Sequence, residues 1–189
     1  PAAMTNVVYA PSNPSGSLSQ DAINDLRALG GWSDCLLLIG DAGRNSQTAI
    51  VYSQLLRDYD KPVVITRDAI DLVRNDSSMI AARQNTMLIL SFAQLQKLFR
   101  SLYYPKILTF SMQLMQLVEA LHKFTITSPI TIATLHQDTL IAAHSGEVAT
   151  TPWTDPMRIW RGTVAARASA YYTWNPERPL ESITASLLK

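Results

Sequence analysis

The segment from Cys35 to Val73 constrains the fold more than any other part of the chain. It opens with an apolar run from Cys35 to Ile39, followed by a loop with two glycines, residues 40–44. A run this short, bounded by loop residues, predicts a strand that is buried on both faces.

The residues after this loop predict a helix and then a second strand. Ile50, Leu55 and Leu56 fall on one side of a segment without glycine or proline, and Asn45 or Ser46 can cap its start. Lys61-Pro62 ends the helix, and an apolar strand over 63–65 follows. Strand, loop, helix and strand in this order form a right-handed βαβ unit, so the two strands should be parallel.

Ligands of parallel sheets bind at the carboxyl ends of the strands, which here are the 40–44 loop and Thr66-Arg67-Asp68. Each candidate in these loops also has a simpler reading. Gly40 and Gly43 can serve a tight turn instead of admitting a ligand. Asp41 and Asp68 can act as a carboxylate pair, bind a cation or cap helices, and Arg44 can meet a phosphate or a neighbouring carboxylate.

The remaining segments extend this pattern on both sides. The Ser91 to Gln94 spacing indicates a capping box at a strand-to-helix turn. A glycine-threonine pair, Gly162-Thr163, precedes an alanine-rich helix. The other predicted elements are a strand over 6–9, a helix capped by Ser19 and ended by Gly30-Gly31, a short helix around 70–73, a strand over 86–90, a helix over 107–123, an antiparallel hairpin over 130–143, a strand over 148–151, a loop over 152–160 and a final helix over 180–188.

Together these elements predict one α/β domain over residues 1–189, with a mainly parallel sheet flanked by helices and an antiparallel hairpin at one edge. The net charge of +1, without clusters of Lys or Arg, argues against nucleic-acid binding. No apolar run reaches the length that spans a bilayer, so we expect no membrane partner. The single cysteine, Cys35, excludes an internal disulfide and fits a cytoplasmic location. His122, His136 and His144 show no metal-ligand spacing, and we expect surface or hairpin positions for them and no metal site.

Four segments, taken in chain order, resemble the motifs of a known family. Ile39–Arg44 stands where that family has GPGLGR, Thr66–Asp71 where it has DADALN, Ile89–Gln94 where it has TPHPGE, and Trp160–Thr163 where it has GTGD. The family is that of the ADP- or ATP-dependent NAD(P)H-hydrate dehydratases, within the ribokinase-like superfamily. The turn after the third strand is kept, while the His, Gly and Glu of its motif are absent.

The resemblance implies a nucleotide site and a substrate site. The phosphates of ADP or ATP, with or without Mg²⁺, would lie on Arg161, Gly162 and Thr163. Thr163 replaces the family's catalytic aspartate, and threonine cannot act as a base near neutral pH, so Asp41 or Asp68 would have to take that role. The hydrated NADH or NADPH would lie over Gly40, Gly43, Arg44, Ser91 and Gln94.

Two functions remain open from the sequence. One is a nucleotide-dependent dehydratase that restores NADH or NADPH from its hydrate. The other is a non-catalytic nucleotide-binding or assembly module, which the missing Asp, Lys, His and Glu of the motifs favour. The family's N-terminal part of the sheet is not found in this sequence. We therefore expect an unfinished sheet edge that pairs with a second copy or a partner chain.

Overall fold

The computed structural model describes residues 6–40 and 45–188. The strands are β1 (Leu36–Leu38), β2 (Val63–Thr66), β3 (Thr86–Ser91), β4 (Thr131–His136), β5 (Thr139–His144) and β6 (Glu147–Pro152). The helices are α1 (Ala22–Trp32), α2 (Ser46–Asp58), α3 (Asp68–Leu72), α4 (Ser77–Ala82), α5 (Phe92–Ser101), α6 (Leu114–Thr127), α7 (Pro156–Trp160), α8 (Thr163–Trp174) and α9 (Pro179–Leu187), with a 3-10 turn at Arg74–Asp76.

The six strands form one mixed sheet in the order β1-β2-β3-β4-β5-β6. The first four strands are parallel, and β4, β5 and β6 form an antiparallel meander. This arrangement confirms the predicted α/β fold with a mainly parallel sheet and an antiparallel hairpin. β1 is an outer strand: among the described strands it pairs with β2 alone.

Two apolar layers cover the two faces of the sheet. Because β1 to β4 follow one another in a single direction, right-handed crossovers place all their connecting helices on the same face. On that face Leu88 and Leu90 of β3 pack with the buried residues of α1 to α6. On the other face Met87 and Ile89 pack with α7, α8 and α9. Successive side chains of β3 therefore enter the two apolar layers in turn.

Two local predictions about helix starts are confirmed. The side chain of Asn45 accepts a hydrogen bond from the backbone N–H of Gln47 at 2.8 Å and caps α2. Ser91 and Gln94 form the capping box of α5: the N–H of Gln94 donates to Ser91 Oγ at 3.2 Å, and the N–H of Ser91 donates to Gln94 Oε1 at 3.0 Å. These short-range signals were readable because both partners lie within three residues.

Several predictions about the first 40 residues are wrong. Residues 6–9 form no strand, and Tyr9 is 91% exposed. Helix α1 has Asp21 at its cap position instead of Ser19 and continues through Gly30 and Gly31. A Cβ at Gly30 would lie 3.4 Å from the ring of Tyr59, an ordinary packing distance, so this part of α1 packs beside the end of α2. β1 is only half-buried at Leu36 and Leu37, because it lies at the edge of the sheet.

Predictions in the second half also need correction. Residues 107–113 are not helical, and α6 begins at Leu114. The side chain of Gln96 donates to the carbonyl of Leu108 at 2.8 Å, which holds this segment in an irregular path. His136 lies in the hairpin as expected, and it is buried there, with 4% of its surface exposed. The short helices α4 and α7 were not predicted: α7 lies in the segment expected to be a loop over 152–160, and no element was expected over 77–82.

Candidate functional site

The loops that follow β1 and β2 touch each other at Gly40. This glycine has φ +109°, and a Cβ on it would lie 2.7 Å from the Cβ of Asp68 and 3.0 Å from the backbone nitrogen of Ala69. The first contact is far closer than real side chains tolerate, so the position needs glycine. Gly40 thus has a positive φ that favours glycine, and its contact with Asp68 leaves no room for a side chain.

Arg67 joins β2 to α3 in an unusual backbone conformation. Its φ is +54° and its ψ is −135°, a region that L residues rarely adopt. Arg67 occupies the cap position of α3, and Asp68 is the first helical residue. The prediction that Asp68 caps a helix is therefore wrong, while its place at the carboxyl end of β2 is as expected.

Gln94 ties the end of β2 to the end of β3. Its Nε2 donates to the carbonyl oxygen of Arg67 at 2.9 Å and to Asp71 Oδ2 at 3.0 Å. Its Oε1 accepts the N–H of Ser91 in the capping box. The amide group is therefore fully used in holding the strand ends together. Gln94 and Ser91 therefore hold the loops of the site in place.

The start of α8 meets this edge from the other face of the sheet. Gly162, with φ +82°, occupies the cap position, and a Cβ on it would lie 3.6 Å from Ile39 Cγ2 and 3.8 Å from Arg67 Cδ. Thr163 is the first residue of the helix, so the cap position belongs to Gly162 and not to Thr163. Arg161 and Thr163 are both exposed.

Positive charge gathers where α8 begins. The first backbone N–H groups of a helix lack acceptors within the helix, and its dipole is positive at that end. The side chain of Arg67 lies against Gly162 at this point, and Arg161 immediately precedes it. Such a combination favours an anionic group, with phosphate as a common biological example. The hydroxyl of Thr163 can donate to an anion but cannot act as a general base at neutral pH.

The structure brings together some of the predicted site residues. Gly40, Asp68 and Gly162 lie around Ile39 and Arg67, and Ser91 and Gln94 join them through the carbonyl of Arg67. Asp41, Gly43 and Arg44 lie outside the described residues. Arg67 was expected at this edge only as part of the strand end Thr66-Arg67-Asp68, and the sequence assigned it no role of its own.

Structural comparison supports the fold. A ribokinase-like superfamily protein from Enterococcus faecalis V583 superposes with a TM-score of 0.65 at 14% identity, over 87% of this chain and 57% of that one. A hypothetical protein from Streptococcus mutans superposes with a TM-score of 0.63 at 12% identity, over 87% of this chain and 58% of that one. The chain thus has a ribokinase-like α/β fold and spans less than three fifths of the length of either structure.

Sequence comparison adds no closer relative. No protein-family model matches the chain, and no curated protein matches it. Among the helices in 6–40 and 45–188, none has the length and apolar character needed to cross a membrane.

Proposed function

We propose that this chain binds ADP or ATP, with the phosphates on the backbone N–H groups at the start of α8. One observation carries the proposal: the side chain of Arg67, at the end of β2, lies against Gly162, the residue that begins α8. The Cδ of Arg67 would lie 3.8 Å from a Cβ on Gly162, so the cationic side chain reaches the helix start, where a positive charge and the first N–H groups of the helix both favour phosphate. The exposed Arg161 lies next to the same helix start.

The positions of the glycines support the same proposal. Gly162 carries no side chain that could cover the helix start, and Gly40 brings the loop after β1 against α3. Ile39 lies between these two glycines, so it borders both the proposed phosphate site and the proposed substrate site. The dehydratase resemblance of the sequence supports ADP or ATP as the nucleotide. The replacement of the catalytic aspartate by Thr163 favours binding as the property that is retained.

A thermal-shift titration with ADP and ATP, each with and without Mg²⁺, tests this function. A ligand at about 100 times its dissociation constant adds roughly 2.7 kcal/mol to the free energy of unfolding. For a chain of this size that corresponds to a rise of several degrees in Tm. Millimolar ADP and ATP that leave Tm unchanged would contradict the proposal.

Dehydration of hydrated NADH or NADPH is the second candidate function. It is supported by Asp68, whose Cβ would lie 2.7 Å from a Cβ at Gly40, so this residue lies beside the loop over which the substrate is proposed to bind. A carboxylate can accept the proton that Thr163 cannot. The assay follows recovery of NADH absorbance from its hydrate in the presence of ADP or ATP, in the wild type and in Asp68→Asn. We expect activity in the wild type that Asp68→Asn lacks; an inactive wild type that still binds ADP leaves binding as the function.

A further inference from the structure

Three rings form a cluster at the carboxyl ends of β3 and β4. The ring of Phe92 contacts those of Phe110 and His136, with centroid distances of 4.9 Å and 4.7 Å and ring planes tilted by 49° and 32°. Phe92 and His136 are 5% and 4% exposed, whereas Phe110, the outer ring, is 64% exposed. Phe110 is thus supported by its contact with Phe92 while most of its surface faces solvent.

The segment that carries Phe110 is anchored on both sides of it. The carbonyl of Leu108 accepts a hydrogen bond from Gln96 Nε2 at 2.8 Å, and the carbonyl of Met112 accepts one from the buried His136 Nε2 at 3.0 Å. The side chains of Leu108 and Met112 are 5% and 6% exposed. An exposed phenylalanine held between two buried anchors costs little ordering entropy when a ring stacks on it.

The ring cluster of Phe92, Phe110 and His136 is connected to the edge of the sheet that holds the proposed site. Phe92 directly follows Ser91, whose N–H bonds to Gln94, and Gln94 bonds in turn to the carbonyl of Arg67. Arg67 lies against Gly162 at the start of α8. The exposed ring therefore lies along the same strand ends, on the face of the sheet opposite α8.

We propose that Phe110 is a stacking platform for the flat heterocyclic ring of a nucleotide, either adenine or reduced nicotinamide. The proposal rests on the nucleotide-binding function above and names the part of the ligand that this second element recognises. Stacking on an aromatic side chain is indifferent to hydrogen-bond pattern, so the platform suits either ring. Phe110 contacts Phe92, which in turn contacts His136, and these contacts distinguish Phe110 from an apolar residue that is exposed on its own.

The test compares Phe110→Ala, Phe110→Tyr and the wild type for binding of AMP, reduced nicotinamide mononucleotide and ribose 5-phosphate. Base stacking on an aromatic residue is worth about 1–3 kcal/mol, or roughly a 5- to 150-fold change in dissociation constant. We expect Phe110→Ala to weaken one or both ring-bearing ligands by a factor in this range and to leave ribose 5-phosphate unchanged. Phe110→Tyr should bind as the wild type does. Ile107→Ala, at an 82% exposed position in the same segment, is the matched control and should have no effect.

Each outcome separates the two proposals. Loss confined to AMP assigns the platform to adenine, and loss confined to the nicotinamide nucleotide assigns it to that ring. Unchanged binding of both ligands by Phe110→Ala, or an equal loss in Ile107→Ala, overturns the platform and leaves the phosphate site standing. If the wild type binds none of ADP, AMP and the nicotinamide nucleotide at any accessible concentration, both the platform and the phosphate site are overturned.

Discussion

The Nε2 of Gln94 donates a hydrogen bond to the carbonyl oxygen of Arg67 at 2.9 Å, and this contact joins the carboxyl ends of β2 and β3. Gln94→Glu keeps an oxygen for the capping box but removes the donor and places a carboxylate beside Asp71. An unsatisfied carbonyl and a repulsive pair at a half-buried position should lower the free energy of unfolding by about 1–2 kcal/mol. Urea unfolding monitored by circular dichroism measures the difference.

Gln116→Glu provides the matched control for that variant. Gln116 occupies the same position in the capping box of α6, where its Oε1 accepts the N–H of Gln113 at 3.1 Å, and it is exposed. We expect a change within about 0.5 kcal/mol. Equal losses in the two variants would show that Gln94 acts only as a helix cap.

Gly40 is the second position with a sharp prediction. In Gly40→Ala the new methyl group would lie 2.7 Å from the Cβ of Asp68, and the backbone would keep a φ of +109° that L residues disfavour. Steric overlap and backbone strain together should destabilise the protein by about 2 kcal/mol or more. Thermal and urea unfolding provide the measurement.

Gly31→Ala is the opposite case and serves as the comparison. Gly31 lies inside α1, and a Cβ there would meet no atom within 4 Å. Replacing a helical glycine by alanine should raise stability by about 0.5–1 kcal/mol. A tolerated Gly40→Ala would contradict the close contact between the loop after β1 and the start of α3.

His144 makes stability depend on pH. Burial lowers the pKa of this half-buried histidine, whose Nδ1 lies 3.1 Å from Thr131 Oγ1. Because the unfolded chain takes up the proton more readily, the contribution is fully present above about pH 6.5 and is lost as the pH falls through the lower pKa of the folded state. Tm should drop less between pH 7.5 and 5.0 in His144→Gln than in the wild type. Parallel Tm curves for the two proteins would contradict this.

Much of the fold could be predicted because its signals are local. The apolar runs gave β2 and β3, and the spacing of Ser91 and Gln94 gave the start of α5. The errors fall where tertiary contacts override local signals. Gly30 and Gly31 continue α1 instead of ending it, and residues 107–113 are not helical because the side chain of Gln96 holds the carbonyl of Leu108.

The candidate site was less predictable than the fold. The sequence placed Gly40 and Asp68 at neighbouring strand ends, and they do lie in contact. It could not place α8 against Arg67, because that proximity joins residues almost 100 positions apart across two faces of the sheet. It also gave no sign of the backbone conformation of Arg67, since positive φ is normally expected at glycine or asparagine.

The central claim is that Arg67 and the start of α8 hold a phosphate, and the ADP dissociation constant of Arg67→Gly tests it most directly. Glycine suits the backbone of residue 67 (φ +54°, ψ −135°), so the variant relieves strain of order 1–3 kcal/mol while deleting the guanidinium. Asn85→Gly, at another positive φ of +51°, is the control, because it makes the same kind of change away from α8.

Titration calorimetry with ADP on the three proteins gives the answer. We predict that Arg67→Gly, folded as judged by circular dichroism, binds ADP about 10-fold or more weakly than the wild type, in line with the loss of a charge-assisted hydrogen bond. Asn85→Gly should bind ADP as the wild type does. Unchanged ADP affinity in Arg67→Gly, or no ADP binding by the wild type, would contradict the account.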